Sequence, residues 1–95
     1  MFVLQPPRAV ADSGNDFVAR LKVYGIDLSE LMGHTITPQS AIELGQDICG
    51  DIRSGTSPTV EAKGLYNGMP RIKQSANLVY AAQSTICPET LAAQP

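Results

Sequence analysis

No tryptophan occurs in the 95 residues, and phenylalanine and tyrosine together supply five aromatic side chains. The residues that bury most area apiece are scarce. A chain this short also buries only about 60–65% of the surface its unfolded form exposes. Its core must therefore be thin. Basic runs are missing as well. The 7 Lys and Arg stand singly among 9 Asp and Glu, for a net charge of −2, and no face assembles that could neutralise several phosphates. That excludes nucleic acid as a partner. No apolar run approaches the roughly 20 residues that span a bilayer, so no integral membrane segment is expected. Glycine-rich phosphate loops are absent, and there is a single histidine.

What is present reads as helix punctuated by caps. Ser13-Gly14-Asn15-Asp16 resembles a capping box, followed by Phe17, Val18, Leu21 and Tyr24 on one arc and by the stop Gly25. Within residues 26–37, Leu28, Leu31 and Met32 predict a short helical turn laid on the core. Thr37-Pro38 is the clearest helix start in the chain, a capping hydroxyl followed by proline at the first helical position. On the helix it opens, Ala41, Ile42, Leu44, Gly45, Ile48, Cys49 and Ile52 share one face. Ala41, Gly45 and Cys49 make a row of small residues on that face. Glycine costs a helix about 1 kcal/mol relative to alanine, and a closely approaching helix backbone is the expected compensation. Ser57-Pro58 repeats the start signal, Asn67-Gly68 ends the third helix, and Pro70 opens a fourth. Its apolar face is Ile72, Ala76, Val79, Tyr80, Ala82, Ile86 and Cys87, with the polar Gln83 in the middle of the stripe. Period-2 alternation is missing. The expected fold is all-α: a compact bundle of four helices over about 14–25, 38–54, 58–66 and 70–87. Residues 13–88 form the single domain, 1–12 a disordered N-terminal segment and 89–95 a flexible tail.

Ala9-Val10-Ala11 has the small-x-small pattern of a signal-peptidase site. Met1 to Leu4 is too short for an apolar signal core, and no basic stretch precedes it. Two readings stand: the remnant of a truncated export signal, or an ordinary disordered N-terminus.

In order and spacing, Asp16-Phe17, Leu21, Gly25-Ile26, Ala41, Gly45, Cys49, Gly55, Ala76, Val79, Ala82 and Cys87-Pro88 resemble a mycobacterial family of small exported proteins known as domain of unknown function 732. The likeness covers roughly residues 12 to 88. It implies an N-terminal export signal, a helical domain and a disulfide joining Cys49 to Cys87, which would tie the second helix to the fourth. It brings no activity. The chain departs from the pattern in its short signal segment and in the polar Gln83. The cysteines could also be read as a redox pair. Such pairs sit as C-x-x-C at helix N-termini, where the dipole lowers the thiol pKa; these lie far apart and near helix C-termini, so a structural bridge is the better reading.

Little else suggests chemistry. His34, the sole histidine, follows Gly33 with no ligand cluster around it. A solvated loop histidine is the plain reading, and a haem ligand partnered by Tyr66 or Tyr80 the sharper one. Ser29, Glu30 and His34 are close in sequence without the marks of a triad. Glu43, Asp47 and Asp51 read as a charged solvent face rather than a metal site. A buried Gln83 either satisfies itself in the core or lines a small polar pocket with Tyr24, Tyr66 and Tyr80. The expectations are thus no catalysis, no cofactor and no bound metal. The sequence reads as a secreted or envelope domain, a monomer, that binds an unknown protein or small ligand. The alternative is a carrier of a small apolar ligand or haem built around Tyr66, Tyr80, Gln83 and His34.

Overall fold

The computed structural model describes residues 10–68 and 73–92, and side chains from 13–68 and 73–91. All described elements are helices: α1 (Val10–Tyr24), α2 (Leu28–Met32), α3 (Pro38–Arg53), α4 (Pro58–Gly68), α5 (Ser75–Thr85) and α6 (Glu89–Ala92). The four longer ones match the expected bundle, and the predicted turn is α2.

Local chemistry sets most boundaries. Gly25 ends α1 at φ +70°. There the Ile26 amide donates to the Leu21 carbonyl at 2.9 Å and the Gly25 amide to Lys22 at 3.0 Å, the paired bonds of a left-handed helix stop. Asp27 caps α2 by accepting from the Glu30 amide. Thr37 caps α3 by accepting from the Ser40 amide at 3.1 Å, with Pro38 behind it. The Ser57 hydroxyl accepts from Val60 at 3.2 Å at the start of α4. Ser29 accepts from the Ile36 amide at 2.8 Å and fastens the loop between α2 and α3.

Three expectations are corrected. α1 starts at Val10, a turn before the expected capping box, so Ser13 lies inside the helix. There Gly14 makes room for a neighbour: a Cβ on it would stand 2.7 Å from Cγ2 of Ile42. The tail is not loose throughout, because residues 89–92 form α6 and Thr90 is buried. Pro88 ends one helix and begins the next turn, in which the Leu91 amide donates to the Pro88 carbonyl. The apolar face of the fourth helix is also broader and rotated. Leu78 and Ala81 are fully buried, whereas Tyr80 is 45% exposed. The reason is position: α5 packs against α1, α3, α4 and α6, so burial runs round much of its circumference. Pro70 and Ile72 lie outside the described residues.

The core gathers Phe17 and Leu21 of α1, Ile48 and Cys49 of α3, and Leu78, Val79, Ala81 and Ala82 of α5. Each large side chain buried this way contributes about 1.5–3 kcal/mol. Gly45 fits against side chains rather than a helix backbone. A Cβ there would meet Cδ1 of Ile86 at 2.7 Å and Cε2 of Phe17 at 2.9 Å. The bridge joins Cys49 of α3 to Cys87, just past α5, with Cα atoms 5.9 Å apart. Both sulfurs rest beside the Ala82 carbonyl. Arg53 adds a surface tie from α3, pairing with Glu89 of α6 at 2.5 Å.

Candidate functional site

The connection of six residues between α4 and α5 makes them antiparallel neighbours. A cleft of about 450 Å³ runs between them, within the range of small-molecule sites. Ala62, Ala76 and Val79 supply its apolar surface, Tyr66 and Lys63 stand on the α4 side, and Gln83 lines it from α5. Among the described residues Lys63 is the one charged side chain on its walls.

Gln83 is the unusual member. It is only 3% exposed. Its Nε2 donates to the Thr90 hydroxyl at 3.2 Å, and that hydroxyl donates to the Cys87 carbonyl at 2.6 Å. Because Thr90 spends its proton on Cys87, it can only accept from Gln83, which fixes the amide with nitrogen toward α6. Among the described residues Oε1 takes no hydrogen bond, yet no enclosed side-chain polar atom there lacks a partner. Both statements hold if Oε1 opens into the cleft.

Of the four residues expected to share a pocket, the structure brings two together. Tyr66 and Gln83 line this cleft, and Tyr80 and His34 do not. Tyr80 lies on the exposed side of α5, and His34 is exposed in the loop before α3, where its Nδ1 approaches the Thr35 carbonyl. Tyr24 does not line the cleft either; its carbonyl accepts from Gln74 Nε2 at 2.9 Å. The sequence reading missed Lys63 as a wall residue, although 62, 63 and 66 share a helical face. It also missed Thr90, because an orphan threonine after a proline carries no signal of burial.

A second feature lies elsewhere. Glu61 of α4 is half-buried and meets Asp51 of α3. Burial above all, then a hydrogen bond to Asp51 and repulsion by its charge, push the Glu61 carboxyl from 4.5 up to about 7. Among the described residues no three His, Cys, Asp or Glu side chains gather where they could hold a metal ion.

Fold and bridge together define a small disulfide-stapled all-α domain. Such a bond persists in an oxidising, non-cytoplasmic setting, and no described helix is long and apolar enough to cross a membrane. The chain belongs to the family described as Protein of unknown function (DUF732), whose model matches residues 11–89. Comparison with curated proteins and with solved structures gives no match.

Proposed function

We propose that this is an exported binding domain, working in the cell envelope or outside the cell, that takes a small ligand in the α4–α5 cleft. The observation that carries it is Gln83: a buried amide whose nitrogen is held by Thr90, in a residue that lines the cleft. Burying an amide is costly unless it is hydrogen-bonded, and a core needing only bulk would hold leucine here. Export is supported by the Cys49–Cys87 bridge.

In this reading the domain binds and does not catalyse. Among the described residues the acids that meet, Asp51 and Glu61, lie outside the cleft, and no carboxylate stands on its walls. The haem carrier built around Tyr66, Tyr80, Gln83 and His34 loses its geometric support, because His34 and Tyr80 stand away from the cleft that Tyr66 and Gln83 line.

The test is a nitrogen–proton NMR titration of the oxidised protein with a library of small apolar fragments. Shifts concentrated at Ala62, Tyr66, Ala76, Val79 and Gln83 are expected. Shifts scattered over the surface, or absent, overturn the proposal. Haemin should leave the Soret band where it lies in buffer. Sedimentation should give a monomer, and fractionation of the producing cells should place the oxidised chain outside the cytoplasm.

A further inference from the structure

Resting on that cleft as the ligand site, we infer that α4 is its movable wall, latched to α3 while Asp51 and Glu61 share a proton and released when both are ionised. Seating comes first. α4 buries one residue, Ala62, whereas α3 and α5 bury five each. Its other flank borders a second cleft of about 400 Å³, where Gly64 and Leu65 stand across from Leu28, Ile36 and Leu44. α4 thus lies between two gaps. A helix with so few buried apolar contacts opens locally at lower cost than its neighbours.

The staple keeps such an opening local. The bridge joins Cys49 of α3 to Cys87 just past α5, so those two helices stay joined when α4, in the chain between them, lifts. The connection from α3 turns at Gly55, where φ is +112° and no atom comes within 4 Å of a Cβ position. That glycine is free to act as the hinge.

The latch is the carboxyl pair. Two carboxyl groups hydrogen-bond only while one holds a proton, and they repel once both are charged. The helices that pack most on α4 are α3 and α5. α3 brings Asp51, with Asp47 one turn back on the same side, and its one cation, Arg53, pairs with Glu89. α5 carries no charged residue, and α2, across the second cleft, carries only the acid Glu30. Lys63 stands on the opposite side of α4, toward the ligand cleft. Nothing from these helices therefore offsets the repulsion. The latch is complete below about 4.5 and is lost as the pH rises through about 7, when the proton passes to solvent.

Hydrogen exchange of the oxidised protein, read by NMR as protection factors, is the test. Between about pH 5 and about pH 8, protection over residues 60–67 should fall roughly tenfold, and that of the α3 and α5 amides distinctly less. Glu61→Gln keeps a neutral hydrogen-bonding side chain against Asp51 and should hold α4 at its acid level of protection throughout. Asp51→Asn should do the same by removing the repelling charge. Fragments of the apolar library that shift the cleft residues should dissociate faster at the higher pH from wild type and equally at both from Glu61→Gln. If α4 keeps its protection at both pH values, loses it together with α3 and α5, or responds alike in wild type and Glu61→Gln, the inference falls while the cleft stands as a ligand site. If α4 loosens as expected but no fragment shifts the cleft residues, the ligand reading falls and the latch stands.

Discussion

The side chain of Gln83 reaches Thr90 across the turn at Pro88, nitrogen to hydroxyl oxygen at 3.2 Å. This bond docks α6 on α5 and sets which way the amide faces. Thr90→Val keeps the shape, removes the hydroxyl, and leaves the Gln83 nitrogen short of a partner, while the Cys87 carbonyl keeps the Thr90 amide. It should cost about 1–3 kcal/mol, measured as a lower urea midpoint at unchanged slope. Thr90→Ser keeps the hydroxyl and should cost distinctly less.

Reduction of the bridge tests the staple. Cys49 and Cys87 are separated by 38 residues, and closing a loop of that size should contribute about 3–4 kcal/mol through the unfolded chain. The protein with both cysteines changed to serine should show a matching fall in urea stability. The oxidised protein should gain mass on reduction and should not alkylate under native conditions.

Two glycines should respond in opposite directions to alanine. At Gly45 a Cβ would press on the fully buried ring of Phe17 and on Ile86, and overpacking of about 1–3 kcal/mol should exceed the gain in helix propensity. At Gly64, inside α4, nothing lies within 4 Å of the new carbon. Gly64→Ala should therefore stabilise by about 0.5–1 kcal/mol. Thermal melts of the two variants should move apart.

Glu61 should make stability depend on pH. Its carboxyl titrates near 7 in the folded chain against an ordinary 4.5, so between those values the folded state holds the extra proton. The contribution is complete below about 4.5 and is lost as the pH rises through about 7. Glu61→Gln should flatten this part of the profile and raise stability at pH 8 above wild type, read as urea midpoints from pH 4.5 to 8.

The caps at Thr37 and Ser57 are legible because each satisfies a nearby orphan amide by a short-range bond, and the buried face of α3 because it follows one helical period. Gln83 stood out as a polar residue on an apolar stripe. Tyr80 was misjudged, and Leu78 and Ala81 overlooked, because a wheel drawn for one helix assumes a single neighbour, while α5 has packing partners on several sides. Thr90 lay beyond a proline that reads as an end.

The sequence by itself determined the all-α class, the helix starts and stops, the small-residue row around Gly45 and the pair of cysteines. These are matters of local backbone chemistry and of one period along the chain. Tertiary structure decided which cysteine face meets which, that Tyr66 rather than Tyr80 or His34 joins Gln83, and that Thr90 turns the Gln83 amide toward a cleft. The pairing of Asp51 with Glu61 belongs to the same class. Each depends on the angle at which two helices pack, which no periodicity within either helix encodes.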